Sequence, residues 1–281
     1  MDEKGLGKRL QTARQAAGLT QQQLCHRANL SFSTLTKIER GAIKSPSIFT
    51  VQAIAGAVGV SLDELVGSAP PPARDLLKTK SGVSFIYFDV HGCLVHFFQR
   101  AFAKLAADTG ASADIVETTF WHYNAEVCRG TMTIHDFNTA MAKRLGVDAS
   151  QVDWKAAYFE TIEPIGQMQE LLVWASQRYK VGLLTNIMPG FLNLLKQNGQ
   201  LPNIAYDAIV DSSEIGTIKP EPEIYKIAQQ RAGCPAEEIL FIDDSRANLM
   251  AAEPLGWNVM LFDDAHPQEA TDRARQAIQP A

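Results

Sequence analysis

The chain has 281 residues, 46% of them hydrophobic and 20% charged, with a net charge of −5. This is the composition of an ordinary soluble globular protein of about two domains. It excludes a membrane span, since no apolar run approaches the roughly 18 residues required, and the start shows no signal-peptide pattern.

Cys25, Cys93, Cys128 and Cys234 are scattered, with no C-x-x-C pair. They read as reduced thiols of a cytosolic protein rather than as a disulfide frame or zinc site. The charge is unevenly spread. Residues 1–68 carry eight Lys/Arg and five Asp/Glu, a net of +3, and the remaining 18 basic and 26 acidic residues give −8. A basic head on an acidic body hints at an anionic partner for the head.

Residues 1–68 predict five short helices. Leu6, Leu10, Ala13 and Ala17 recur at helical spacing up to Gly18. Thr20 is an N-cap for a second helix, and Ser31 caps a third that Gly41 stops. Ser47 opens a fourth with Val51, Ile54, Ala55 and Val58 inward, and Leu62 and Leu65 close the unit. The pair Thr20–Arg27 and Ser31–Arg40 has the dimensions of a helix-turn-helix.

L-T-Q-Q-Q-L at 19–24, followed by S-F-S-T-L-T-K-I-E-R-G at 31–41, resembles the lambda-repressor-like (Xre-type) DNA-binding domain. In the second helix of the pair, Ser33, Thr34, Thr36 and Lys37 are expected to be exposed and to reach base edges, with Ser31 at its start. Gln21, Arg40 and Lys44 are expected to hold phosphates. A small helical protein-interaction module is the bland alternative. The stretch 69–82, with Pro70 to Pro72, reads as a semi-rigid linker in which Leu76 and Leu77 form a local turn.

The body, residues 83–281, opens with V-S-F-I-Y-F running into Asp89 and a turn at Gly92. A continuous apolar run of this kind suits a strand buried on both faces of a parallel sheet, with the first charge emerging at its carboxyl end. Residues 96–176 read as a helical insertion whose aromatics, Phe97, Phe98, Phe102, Trp121, Phe137, Trp154 and Phe159, are expected to pack a core rather than a ligand box. Strand patterns return at 180–184, 208–210, 239–242 and 258–262, separated by helices. The expected fold class is therefore α/β, a small all-α helix-turn-helix domain followed by a Rossmann-like parallel sheet with a helical cap.

Polar residues fall at the carboxyl ends of successive strands: Thr185 and Asn186, Lys219 in K-P-E-P-E-I-Y, and Asp243 and Asp244 in F-I-D-D-S-R-A-N. With Asp89 they resemble, in order, the four motifs of the haloacid dehalogenase (HAD) superfamily. The resemblance implies Asp89 as a nucleophile that forms an aspartyl-phosphate. Thr185 and the Asn186 N–H would hold phosphoryl oxygens, and Lys219 would neutralise the charge that develops. It further implies Mg²⁺ bound by Asp89, the backbone carbonyl of His91 and Asp243, with Asp244 in support. One departure stands out: His91 occupies the place where phosphatases of this family usually carry a second aspartate. Three roles are open for it: a general acid/base, a mark of a phosphate-binding domain with little turnover, or drift at a disused site.

The combined expectation is a cytosolic transcriptional regulator. Its head binds double-stranded operator DNA as a homodimer, and its body binds a phosphorylated small molecule or phosphate with Mg²⁺ and hydrolyses it, with no membrane partner. The alternatives are a metabolic HAD phosphatase with an accessory helix-turn-helix module, or a dehalogenase-like hydrolase acting on carbon.

Overall fold

The computed structural model describes residues 6–43, 45–58, 60 and 76–280. The chain divides into two compact units, Met1–Arg74 and Asp75–Ala281.

The first unit contains α1 (Leu6–Ala16), α2 (Gln21–Arg27), α3 (Phe32–Glu39) and α4 (Ile48–Val58). Thr20 and Gln23 form a capping box: the Thr20 hydroxyl accepts from the Gln23 N–H at 3.2 Å, and Gln23 Oε1 accepts from the Thr20 N–H at 2.8 Å. Ser31 caps α3 through the Thr34 N–H at 3.1 Å. The core is Leu10, Leu24, Leu35, Ile38, Val51 and Ile54, one apolar stripe from each helix. The helix expected around Leu62 and Leu65 lies outside the described residues.

One polar knot ties α1, α2 and α3 together. Arg14 donates to both Glu39 oxygens at 2.7 and 3.1 Å and to the Leu19 carbonyl at 2.8 Å. Gln21 Nε2 donates to Glu39 Oε2 at 2.7 Å. Glu39→Ala would strand the buried Arg14 guanidinium and is expected to cost about 2–3 kcal/mol. Urea unfolding of the variant checks this, and an unchanged midpoint would show the pair to be idle.

In the second unit, residues 76–82 belong to the body instead of acting as spacer. The Leu77 N–H donates to the Arg178 carbonyl at 2.7 Å, and Thr79 pairs antiparallel with Pro280. Leu76 and Leu77 are exposed and form no helical turn, and residues 69–75 lie outside the described residues.

Five parallel strands follow: β1 (Phe85–Phe88), β2 (Lys180–Thr185), β3 (Ala208–Asp211), β4 (Ile239–Asp243) and β5 (Asn258–Leu261). They are ordered β3-β2-β1-β4-β5. The order reverses at β1, so the crevice beyond the carboxyl ends of β1 and β4 is the switch point where such sheets bind ligands. Alternation in β1 feeds two cores. Ile86 and Phe88 face one, beneath α9 (Gly166–Ser176) and α14 (Pro267–Ala277). Phe85 and Tyr87 face the other, with Tyr225 of α12 (Pro222–Ala232), Leu249 of α13 (Arg246–Ala252) and Trp257.

The insertion between β1 and β2 contains α5 (Gln99–Thr109), α6 (Ala113–Cys128), α7 (Ile134–Leu145) and α8 (Trp154–Thr161). Phe102, Phe120, Phe137, Trp154 and Tyr158 form its buried centre, as expected of core aromatics. The helix α9, expected to be part of the cap, packs instead on β2 and α14 and so completes the sheet's covering layer. The two passages between cap and sheet run side by side, with Val95 paired to Pro164 and the Ile165 N–H donating to the Leu94 carbonyl at 2.9 Å. Two further helices complete the body, α10 (Phe191–Gln197) after β2 and the short α11 (Ser212–Ile215) after β3.

Candidate active site

β1 ends one residue before Asp89, which is 6% exposed, and β4 ends on Asp243, which is fully buried. Lys219, in the loop before α12, reaches between them. Its Nζ lies 2.8 Å from Asp89 Oδ1 and 2.6 Å from Asp243 Oδ2, and donates to the Leu184 carbonyl at 2.9 Å. The loop is held in place by Asn186, whose Nδ2 donates to the Lys219 carbonyl at 2.8 Å and whose Oδ1 accepts from the Lys219 N–H at 2.7 Å. Asp243 is further held by the Ser245 N–H at 2.7 Å and by Asn248 Nδ2 at 3.0 and 3.1 Å.

Three carboxylates, Asp89, Asp243 and Asp244, have oxygens within 4.8 Å of one another. Against the single ammonium of Lys219 they leave two negative charges in a buried site. The electrostatics register this imbalance. Burial, reinforced by the Asp243 charge, pushes the Asp244 carboxyl up to about 6. Burial also raises Asp89, with Lys219 opposing and Asp243 and Asp244 adding to the shift. Burial works against the Lys219 ammonium, but Asp243 and Asp89 outweigh it and hold its pKa above the ordinary lysine range.

The donor set fits a hard divalent cation, since all three side chains offer oxygens and a charge of +2 balances the cluster. Gly92 makes room for the Asp244 side chain: at φ +77°, a Cβ there would overlap the Asp244 carboxylate. The buried Thr185 hydroxyl, at the end of β2, has no hydrogen-bond partner. The paired aspartates differ in their hydrogen bonding. Asp243 is consumed by Lys219, Ser245 and Asn248, whereas Asp244 faces the cavity.

That cavity, of about 280 Å³, is lined on the sheet side by Asp89, Lys219 and Asp244 and on the cap side by Phe97, Phe98, Trp121 and Asn124. The expectation of core packing for the insertion's aromatics needs amending for Phe97, just before α5, and Trp121, on α6, which also line the cavity. His91 sits between the two sides. Its Nε2 is 2.7 Å from the Tyr158 hydroxyl, and its ring packs on Phe98 at 4.7 Å. Burial, then the Lys219 charge, pushes the imidazole down to about 3, so it is neutral at physiological pH. Tyr158 and Asn248 were not singled out as site residues by the sequence. The asparagine ends the D-D-S-R-A-N motif, but nothing in sequence marks the tyrosine.

Cap and sheet are also latched away from the cavity. Arg129 Nη1 donates to Glu221 Oε2 at 2.6 Å, and the same carboxylate accepts from Thr217 at 2.8 Å. Arg129 and Thr217 together hold the Glu221 carboxyl down at about 2. A depressed carboxyl pKa gives stability that is present above the ordinary value of 4.5 and lost as pH falls toward 2. Arg129→Met is expected to flatten the acid limb of the melting temperature between pH 5 and 2. Parallel slopes in variant and parent would mean the latch carries no linkage.

On the helix-turn-helix unit, Ser33, Lys37 and Arg40 are exposed, and Ser31 is exposed but spends its hydroxyl on the cap. Thr34 and Thr36, expected to be exposed, are half-buried, and the Thr36 hydroxyl is buried without a partner because its position flanks the inward Leu35. Gln21, expected on phosphate, is bonded to Glu39. Lys44 lies outside the described residues. Phe32, which the sequence reading passed over, is 52% exposed at the start of α3.

These features define a class. A haloacid dehalogenase-like hydrolase model matches residues 83–256, and a helix-turn-helix model matches residues 10–65. The chain belongs to the haloacid dehalogenase-like hydrolases and carries an N-terminal helix-turn-helix domain.

Among individual proteins, it is 44% identical over 62 residues to the immunity repressor protein of Bacillus phage phi105, covering 22% of this chain and 42% of the repressor. It is 28% identical over 79 residues to the (S)-2-haloacid dehalogenase of Pseudomonas fluorescens, covering 28% of this chain and 34% of that one. Among solved structures it resembles a HAD family enzyme of Bacteroides thetaiotaomicron in complex with magnesium and inorganic phosphate. The TM-score is 0.55 at 23% identity, over 64% of this chain and 94% of that chain, a likeness of fold. The chain spans less than half the length of the curated relatives it matches. No helix among the described residues is long and apolar enough to cross a membrane.

Proposed function

We propose that the body is a Mg²⁺-dependent phosphomonoesterase working through an aspartyl-phosphate, and that the helix-turn-helix domain is an accessory module binding double-stranded DNA. The observation that carries this reading is the Lys219 ammonium held between Asp89 and Asp243, with Asp244 completing a three-carboxylate cluster.

An Asp89 oxygen attacks phosphorus, and the bond to the leaving oxygen breaks. Thr185 and the Asn186 N–H hold the phosphoryl oxygens, the Lys219 ammonium neutralises the charge that develops on them, and Asn186's side chain keeps the Lys219 loop in register. Asp89, Asp244 and the His91 carbonyl would hold Mg²⁺, which would supply positive charge beside the phosphoryl group. Asp243 orients Lys219. The paired carboxylates favour phosphate chemistry over attack on carbon.

The test is phosphate release from a panel of phosphorylated metabolites, abolished by chelation and recovered with Mg²⁺. Absence of both turnover and Mg²⁺-dependent phosphate binding would sink the reading.

A second reading, a cytosolic transcriptional regulator whose body senses a phosphorylated ligand, is favoured by the likeness to the phage repressor. On this reading the protein binds as a homodimer to half-sites about 10–10.5 bp apart. Ser33, Thr34 and Lys37 would lie toward bases and Arg40 toward phosphates, with Gln21 bracing the recognition helix through Glu39. DNA affinity then falls steeply with salt and changes when phosphate and Mg²⁺ are added. Salt-independent binding, or a strict monomer on DNA, counts against it.

A further inference from the structure

Building on the phosphatase reading, we infer that the site takes small aryl phosphates, monoesters whose phenolate departs without being protonated, in preference to phosphorylated sugars and other alkyl phosphates.

The first ground is the absence of a proton donor aimed at the leaving group among the residues around the cavity. All three Lys219 N–H bonds are spent, on Leu184, Asp243 and Asp89. Asp89 is the attacking group, and Asp244 packs against Gly92 on the metal side. His91 stands where an acid would be useful, but its Nε2 is engaged by Tyr158, a buried residue of the cap, and Phe98 packs against the ring. The ring is thus pinned at the edge of the cavity, between Tyr158 and Phe98. An alkoxide, the base of an acid about as weak as water at roughly 15.7, needs a proton as it leaves. A phenolate, whose acid has a pKa of about 10, does not.

The second ground is the wall the leaving group meets. Phe97 and Trp121 stack with centroids 5.6 Å apart and planes 15° apart, giving a flat apolar surface at the rim, and Trp121 is 45% exposed. Asn124 is the one polar cap residue lining the cavity, and no cationic cap residue joins it. A sugar's hydroxyls or a second anionic group would be desolvated there without partners. An aromatic ring would gain a stacking surface. The volume of about 280 Å³ leaves room for one phosphoryl group and roughly one ring.

The step balances without a further reactant. A bond forms from an Asp89 oxygen to phosphorus, the P–O(aryl) bond breaks, and its electron pair leaves on the phenolate oxygen, which solvent protonates. Water then takes the phosphoryl group, releasing inorganic phosphate and restoring the Asp89 carboxylate.

The experiment measures kcat/KM of the full chain with Mg²⁺ for a series of ring-substituted phenyl phosphates, glycerol 3-phosphate and glucose 6-phosphate. Phenyl phosphate is expected to exceed the alkyl esters by on the order of 10²–10⁴-fold, the factor a placed general acid would otherwise supply. Within the aryl series the rate should fall steeply as the phenol's pKa rises. His91→Asp is expected to raise alkyl turnover and narrow the ratio. Trp121→Ala should raise KM for phenyl phosphate roughly three- to tenfold with kcat little changed, and Trp121→Phe should restore it. Alkyl esters turned over within a few-fold of phenyl phosphate, or a flat dependence on phenol pKa, would overturn the inference and leave the phosphatase reading standing. No turnover of any ester would overturn both.

Discussion

Asp89→Asn is expected to lower Mg²⁺-dependent phosphate release by about 10⁴-fold or more, the scale seen when a nucleophile is removed. The protein should nonetheless stay folded, and without metal it should be at least as heat-stable as the parent. Asp89, Asp243 and Asp244 share a buried site with one ammonium, so removing one charge relieves repulsion while Lys219 keeps Asp243 and the Leu184 carbonyl. The same change should shrink the rise in melting temperature that Mg²⁺ brings, because a ligand that binds only the folded state stabilises in proportion to its affinity. Phosphate release and melting curves with and without Mg²⁺ check all three outcomes. Residual turnover near the parent's would move the nucleophile elsewhere.

Lys219→Met should have the largest effect on stability. Its side chain is 1% exposed and lies against two carboxylates that are 9% and 0% exposed. Methionine fills the space but leaves Asp89 and Asp243 facing each other without a cation. Breaking a buried pair in this way costs about 3–5 kcal/mol, because the surviving charges remain desolvated. Urea unfolding without metal measures the loss. Mg²⁺ should then stabilise the variant more than the parent, since the cation takes over part of the lysine's work, while turnover stays low. A variant as stable as the parent without metal would mean that the carboxylates are already neutral there.

Much of the body was legible because its chemistry sits at short range on the chain. An apolar run ending in Asp89 and the F-I-D-D stretch each place a carboxylate at the end of a strand, and a parallel sheet brings such ends together; Lys219, expected at a strand end, reaches the same point from the loop after α11 instead. What sequence could not supply are contacts between distant turns of chain. His91, for which acid/base work is one of three open roles, meets Tyr158 67 residues away. Gln21 meets Glu39 18 residues away, so a phosphate-contact candidate became part of an internal knot. Which of two adjacent aspartates faces the cavity depends on Asn248 and Ser245 capturing the first, a matter of loop geometry and not of residue type. The helix α14 gives little signal in sequence because its inward positions include Ala270, Thr271 and Ala274, short side chains within a strongly polar stretch.

The paired passages at Leu94–His96 and Glu163–Ile165 make the cap separable from the rest of the body. The point where the chain leaves the sheet and the point where it returns are already joined by a hydrogen bond of 2.9 Å, so a very short turn could bridge them without moving β1 or α9. The helices between can therefore be exchanged as a cassette, while Asp89, Lys219 and Asp243 keep their mutual geometry. In evolutionary terms the reaction and the choice of substrate are written on different stretches of chain, and the second can be rewritten without disturbing the first.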